Sequence, residues 1–288
     1  MTDKDKNGSA GNDLSVAALM RKHNLRAKKG LGQHFLSDPN ILRKIVAAAD
    51  LEPDSTVLEI GPGLGSLTAL LARTAGHVVA VELDQVMVNI LQQEFAHLPN
   101  LTVVHGDILN LQPAAVLSQA TGKAPSSYVV VANLPYYITS AAIRHLLEAD
   151  LPPSCLVLTI QLEVAQRIAA QPGSMSLLAV SVQFYGRPEI VSRIPAGAFL
   201  PPPKVDSAVV RIDTFDSSPY QVPDRRHFFR VVKAGFSQKR KQLRNALSAG
   251  LVLPADQVTH ALEQACIDPQ RRAQTLSMEE WVALAACL

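Results

Sequence analysis

The chain of 288 residues is 48% hydrophobic and 18% charged, which suits a globular protein with one large and one smaller domain and excludes a wholly disordered chain. Net charge is only +2, but Arg225, Arg226, Arg230, Lys233, Lys239, Arg240, Lys241 and Arg244 fall in a stretch without an acid between Asp224 and Asp256, and Arg21, Lys22, Arg26, Lys28 and Lys29 form a second group, the footprint of phosphate contact. No apolar run nears the roughly 18 residues of a membrane span, the first eight residues lack the apolar stretch of a secretory signal, and the odd, scattered Cys155, Cys266 and Cys287 predict free thiols in a cytoplasmic protein with no metal site.

Residues 1–12 read as a mobile polar tail, followed by a short amphipathic helix over 14–23. The glycine-punctuated loop from Lys28 to Leu36 comes next, and Ser37-Asp38-Pro39 starts a helix over 40–49. From there strands are predicted at 56–60, 77–81, 101–105, 128–132 and 155–161. Helices are predicted between and after them at 66–74, 85–96, 114–118, 140–149 and 163–170. Two further strands, 179–185 and 208–212, flank the proline-rich loop from Phe199 to Pro203 and supply an antiparallel pair. Strands alternating with helical segments argue for a mostly parallel sheet covered on both faces, an α/β fold. Past Thr214 only helices are expected, at 225–236, 239–249, 255–265 and 278–287, a unit of ~70 residues that needs its neighbour for stability.

The strand ends carry the chemistry. Gly61-Pro62-Gly63-Leu64-Gly65 follows Val57-Leu58-Glu59-Ile60 with G-x-G-x-G spacing, where a backbone approaches a ligand closely. Glu82 closes the next strand, suited to both hydroxyls of a ribose, and Asp107 closes the third, suited to an adenine amine. A strand-end acid is also a common helix cap. Asn133-Leu134-Pro135-Tyr136 ends the fourth strand with an amide, a carbonyl stiffened by proline and an aromatic ring, a set suited to a base with an exocyclic amine. Without a basic clamp for pyrophosphate, S-adenosylmethionine fits these features better than a dinucleotide.

Gly32-Gln33-His34-Phe35-Leu36, the 59–65 segment, Asn133–Tyr136 and Phe199-Leu200-Pro201-Pro202-Pro203-Lys204-Val205-Asp206-Ser207 together resemble the ribosomal RNA adenine N6-dimethyltransferase family. Arg271-Arg272-Ala273-Gln274-Thr275-Leu276-Ser277 is similar to its bacterial small-subunit (16S) branch. The resemblance runs from about Lys28 to the C-terminus. It implies a Rossmann-like class I S-adenosylmethionine-dependent methyltransferase domain over 28–214, preceded by a basic extension (1–27) and followed by a helical RNA-binding domain (215–288). It also implies roles. His34, Leu36 and Gly61 would line the cofactor site with Glu82 on the ribose, Asp107 on the adenine, and Asn133 facing the transfer centre. Asn133, Leu134, Pro135 and Tyr136 would act on the target base, stacked between Tyr136 and Phe199. The run from Arg225 to Arg244 would hold RNA. The expected reaction is dimethylation of two adjacent adenines in the 3′-terminal hairpin loop of small-subunit rRNA, by a monomer acting on a pre-assembled small subunit. His34 stands where the family also uses Asn, and Pro172–Leu178 lacks a Tyr-Gly that many relatives have. Alternatives are a large-subunit rRNA adenine methyltransferase, disfavoured by the 271–277 motif, a ribosome-assembly factor without catalysis, disfavoured by intact Gly61, Glu82, Asp107 and Asn133, and a DNA adenine methyltransferase.

Overall fold

The computed structural model describes residues 15–288, so the expected tail lies outside the described residues, as does Leu14. Helix α1 (Val16–Lys22) begins at Ser15, whose hydroxyl accepts the Ala18 amide. A two-residue strand β1 (Phe35–Leu36) precedes α2 (Pro39–Ala49). There Asp38 Oδ1 accepts the Asn40 amide at 2.8 Å and Pro39 takes the first helical position, which is the start that the sequence spells. The alternation then runs β2 (Thr56–Ile60), α3 (Ser66–Thr74), β3 (His77–Glu82), α4 (Gln85–Glu94), β4 (Leu101–His105), α5 (Pro113–Thr121), β5 (Val129–Asn133), α6 (Thr139–Leu147) and β6 (Cys155–Gln161). It ends with α7 (Leu162–Ile168), α8 (Leu177–Gln183), β7 (Gly186–Ile194), β8 (Phe199–Leu200) and β9 (Ser207–Thr214). Four helices close the chain: α9 (Arg225–Gly235), α10 (Leu243–Leu251), α11 (Ala255–Gln264) and α12 (Met278–Cys287).

Seven strands form one sheet in the order β4-β3-β2-β5-β6-β9-β7, parallel except where β9 pairs with β6 and β7. The central strands are mostly apolar because helices cover both faces; Val57, Leu58, Val130 and Val131 have no exposed surface, and the buried Glu59 is the exception in β2. With the helical C-terminal region this is the α/β architecture that the resemblance implies, a mostly parallel sheet followed by a small helical unit. β1 and β8 pair as a separate ribbon, Phe35 opposite Leu200 and Leu36 opposite Phe199.

Two sequence expectations are corrected here. Residues 179–185 are mostly helix, not strand. Ser176 caps α8 by accepting the Ala179 amide, and Ala179, Val180 and Val182 are buried. The missing strand is β7, whose outward residues are exposed in alternation and which carries Pro188, permitted because β7 is a sheet edge. The helix expected from residue 239 starts at Leu243, leaving Lys239, Arg240 and Lys241 exposed in the preceding turn. Three cations at the positive end of a helix would oppose its dipole.

Helix α9 places Phe228, Val231, Val232 and Gly235 on one buried face, at helical spacing. Gly235 is required there, because a Cβ would lie 2.5 Å from the Trp281 ring. The same apolar cluster takes in Ala179 and Val180 of α8 and Phe184 just after it, so the helical region packs on the sheet domain through shared core. The 271–277 motif has structural work in this junction. Arg271 binds Glu280 and the Thr275 carbonyl, and the Gln274 carbonyl accepts the amides of Gly173 and Met175 at 2.9 and 3.0 Å. The departing loop at 172–178 is thus held by the C-terminal motif. No helix among the described residues is long and apolar enough to cross a membrane.

Candidate active site

From β2 the chain moves outward to β3 and β4, then returns to place β5 on the other side of β2. Such a switch point opens a crevice at the carboxyl ends of the two strands. A cavity of about 240 Å³ lies there, and His34, Leu36, Gly61, Glu82, Asp107 and Asn133 are all in its wall, as are Leu134, Pro135 and Tyr136.

The glycine turn after β2 is left-handed at Gly61 (φ 67°) and Gly63 (φ 56°), a conformation side chains rarely adopt. A Cβ on Gly63 would also stand 2.9 Å from the Phe35 ring. Glu82 holds this turn, accepting the Gly63 amide through Oε2 (3.1 Å) and the Asp84 amide through Oε1 (2.8 Å). Burial pushes the Glu82 carboxyl up, against the pull of those two amides. Asp107 does serve as a cap: it accepts the Leu109 amide at 3.0 Å and the Asn110 side-chain amide at 3.1 Å. Each oxygen of Glu82 and Asp107 keeps a further lone pair for a ligand in the cavity.

The loop before β1 closes the other side. Lys28 Nζ reaches Asp84 at 2.8 Å and Gln33 Nε2 donates to the same carboxylate at 3.2 Å. Burial opposes ionisation of Asp84, but the Lys28 ammonium and the Val86 amide outweigh it and hold the carboxyl below its usual range. Lys22 is likewise paired, with Glu94 at 2.7 Å. Two members of the N-terminal basic group are therefore paired with acids of the protein, with their side chains about half exposed, while Arg21 and Arg26 are exposed and have no carboxylate partner among the described residues. The Lys29 side chain lies outside the described residues.

Asn133 donates from Nδ2 to the His34 carbonyl at 3.0 Å. A carbonyl can only accept, so this bond fixes the amide and leaves Asn133 Oδ1 as the free acceptor. The Leu134 amide donates to the Thr159 carbonyl at 3.2 Å, and no donor among the described residues reaches the Leu134 carbonyl. Tyr136 is anchored by its hydroxyl to Ser207 Oγ at 2.8 Å and stacks on His34, ring centres 6.0 Å apart. His34 itself donates from Nδ1 to the Pro201 carbonyl at 2.7 Å. Its ring thus ties the proline loop to the site, and its backbone orients Asn133.

Phe199 differs from its expected place. It is 3% exposed, packed in the core beneath the β1–β8 ribbon, and absent from the cavity wall, so it presents no face to a base in this structure. β8 pairing with β1 turns it inward. Among the wall residues to which the sequence assigned no role, three bear on the chemistry. Tyr137 stands 61% exposed and Leu83 46% exposed at the cavity; the Tyr136-Tyr137 doublet was the available signal for the first. Glu59 is the third.

Glu59 is 1% exposed with Oε2 lacking any partner. Burial raises its pKa to about 8, the neighbouring Glu82 carboxyl adds to this, and the Thr68 hydroxyl opposes it without forming a well-made hydrogen bond. A buried acid with an orphaned oxygen in a cavity wall suits a cationic ligand, and S-adenosylmethionine carries both a sulfonium and an ammonium. The raised pKa also makes stability pH-dependent. Between about pH 4.5 and 8 the folded state binds the proton that the unfolded state has lost, so stability is full below that window and falls as pH rises through it. Without cofactor, Glu59→Gln is expected to abolish this slope and gain on the order of 4 kcal/mol over the parent by pH 8.5. Urea unfolding of both proteins across pH 5–9 checks it; parallel curves would show that Glu59 ionises normally.

Residues 24–288 match the family model for ribosomal RNA adenine dimethylase. The ribosomal RNA small subunit methyltransferase A of Dehalococcoides mccartyi is 49% identical over 266 residues, covering 92% of this chain and 90% of its own length. Among solved structures, the 23S rRNA methyltransferase ErmE superposes with a TM-score of 0.70 at 29% identity, over 88% of this chain and 99% of its own. A dimethyladenosine transferase from Plasmodium falciparum gives 0.73 at 26% identity, over 87% and 96%.

Proposed function

The chain belongs to the ribosomal RNA adenine dimethylase family, and on that premise we propose how its residues divide the work. It is an S-adenosylmethionine-dependent enzyme that dimethylates N6 of adenine in small-subunit rRNA. The cofactor supplies an electrophilic methyl group. Glu82 takes the ribose hydroxyls, Asp107 the adenine amine, Gly61 and the glycine turn lie against the methionine portion, and His34 and Leu36 close the site from the N-terminal loop. The positive charge of the cofactor would favour the ionised form of Glu59, which is otherwise held neutral by burial, and the carboxylate would then provide the counter-charge.

The observation that carries the reading is the pair of free acceptors at one strand end, Asn133 Oδ1 and the Leu134 carbonyl. The N6 lone pair of adenine is delocalised into the ring, so the amine is a weak nucleophile. Two acceptors on its two N–H groups draw N6 towards a pyramidal geometry and aim the lone pair. Pro135 stiffens the second acceptor, and its own carbonyl is occupied by the Ile138 amide at 3.2 Å. No side-chain base is needed, because N6 becomes acidic only after it has gained the methyl and can lose its proton to water. For the second methyl one N–H remains, and one acceptor suffices.

The target adenine must leave its stack to enter the pocket. Tyr136, locked by Ser207, offers one face. Tyr137 at the rim, rather than Phe199, covers the opening against the flanking nucleotide. Tyr137→Ala is expected to raise the KM for RNA about tenfold with cofactor affinity unchanged; an unchanged KM would place the ring outside the RNA path.

The substrate we propose is a pre-assembled small subunit, with two adjacent adenines of the 3′-terminal hairpin loop modified by a cytoplasmic monomer. The domain limits remain 28–214 for the transferase and 215–288 for the helical RNA-binding unit. Incubation with tritiated S-adenosylmethionine and either small or large ribosomal subunits lacking these methylations tests it. Label is expected in the small subunit, and label confined to the large subunit would overturn the assignment.

A further inference from the structure

Pro201, Pro202 and Pro203 follow one another in the loop between β8 and β9, and none of them has a backbone N–H to donate. Such a run is stiff, because each ring fixes its own φ, and polar groups can hold it only through its carbonyls and its ends. The far end is secured. Pro203 is buried, Asp206 accepts the Ala196 amide at 2.9 Å and pairs with Arg193 at 2.6 Å, and Ser207 bonds the Tyr136 hydroxyl. At the near end the β1–β8 ladder stops with Phe35 opposite Leu200, and Pro201 and Pro202 are exposed. One step beyond the ladder the His34 side chain makes the tie instead. Among the described residues, the one hydrogen bond to the segment 201–205 runs from His34 Nδ1 to the Pro201 carbonyl, at 2.7 Å.

His34 meets the base-handling residues on three sides. Its carbonyl accepts from Asn133 Nδ2 at 3.0 Å, its ring lies against Tyr136 with the planes 21° apart, and its Nδ1 holds Pro201. Tyr136 in turn holds the other end of the proline loop through Ser207. The stacked pair therefore clasps the loop at both ends and against the acceptor. A carbonyl accepts hydrogen bonds and gives none, so the single proton of the neutral ring sits on Nδ1. That donor is spent on the loop, which leaves the neutral ring no N–H for the cofactor.

We propose that His34 is a positioning residue of the target-base pocket: its Nδ1–H sets the proline loop against Asn133 and Tyr136, and so governs the rate of methyl transfer rather than the affinity for the cofactor. The inference rests on the rRNA adenine reading above and moves the side chain of His34 from the cofactor side of the cavity to the base side.

The requirement at this position is a donor one bond past Cγ, not a ring. Asparagine carries its Nδ2 at that place, phenylalanine keeps a ring without a donor, and alanine keeps neither. Single-turnover rates at saturating S-adenosylmethionine and small subunits, with calorimetric cofactor affinities beside them, separate the three. His34→Ala and His34→Phe should both lose about 10–100-fold in rate, the usual cost of a small misplacement at a reacting centre, with the cofactor dissociation constant within about twofold of the parent. His34→Asn should recover most of that loss. Recovery by a smaller side chain is a gain that misfolding cannot produce.

A second readout needs no turnover. Nitrogen-15 spectra of the full chain labelled at histidine, taken at alkaline pH where the rings are neutral, report which ring nitrogen carries the proton, and the His34 signals are those that vanish in His34→Asn. The Nδ1–H tautomer is expected. An Nε2–H ring would show that Pro201 is not bound and would overturn the proposal. So would His34→Phe or His34→Ala turning over as fast as the parent, His34→Asn as slow as alanine, or an alanine variant whose cofactor affinity falls as far as its rate. Failure of the parent to methylate small subunits would instead strike the catalytic assignment, and the tautomer would still judge the tie to Pro201.

Discussion

Asn133→Ala is expected to lower methyl transfer by about 10²–10³-fold, the usual cost of deleting one preorganised group that acts on the transition state. The side chain does two things at once. Its Nδ2 donates to the His34 carbonyl, which fixes its Oδ1 as an acceptor in the cavity. Alanine removes both, so cofactor affinity should also weaken slightly through the loosened loop, by far less than the rate falls. Asn133→Asp separates the two effects. It keeps an oxygen but cannot donate to His34, and its charge meets a carbonyl at short range, so it should be nearly as slow as alanine. Single-turnover rates at saturating cofactor and RNA decide the matter. A loss below about threefold in the alanine variant would remove Asn133 from the chemistry.

Glu82→Ala is expected to weaken S-adenosylmethionine binding by about 10²–10³-fold. Two charge-assisted bonds to the ribose, at roughly 1.5–2 kcal/mol each, account for that range. The same carboxylate accepts the Gly63 and Asp84 amides, so the glycine turn loses its tie to β3. Calorimetric titration gives the affinity and thermal unfolding gives the fold. Glu82→Gln keeps one oxygen and should fall between parent and alanine. If alanine lowers the melting temperature but leaves the dissociation constant unchanged, Glu82 only braces the turn.

The site was legible in the sequence because chemistry and topology coincide. Mostly apolar runs such as 57–60, which contains Glu59, and 129–132 are short, rich in β-branched residues and buried on both faces, and the first four parallel strands lead at their carboxyl ends to residues that a folded interior would not otherwise need there: Gly61, Glu82, Asp107, Asn133. What escaped has physical reasons. The 175–182 run is as apolar as a strand, and only the Ser176 cap and the later edge strand show that it is helical; short apolar runs do not declare their period. β7 hid because an edge strand with exposed charges and Pro188 lacks a core signature. Phe199 belonged to a motif, but strand pairing between β1 and β8 decides which way it points. Lys22 and Lys28 looked like RNA ligands because their acids, Glu94 and Asp84, are distant in sequence. Glu59 read as a strand residue because its orphaned oxygen and shifted pKa exist only in the packed cavity wall.

The most direct test of the central claim is nucleoside analysis of small-subunit rRNA after reaction with the full chain and S-adenosylmethionine. A site with two free acceptors, a stiffened loop and no side-chain base predicts N6,N6-dimethyladenosine as the end product, with the monomethyl form appearing transiently, and no product from Asn133→Ala on the same time scale. Accumulation of N6-methyladenosine alone, or dimethylation undiminished by the loss of Asn133, would contradict it.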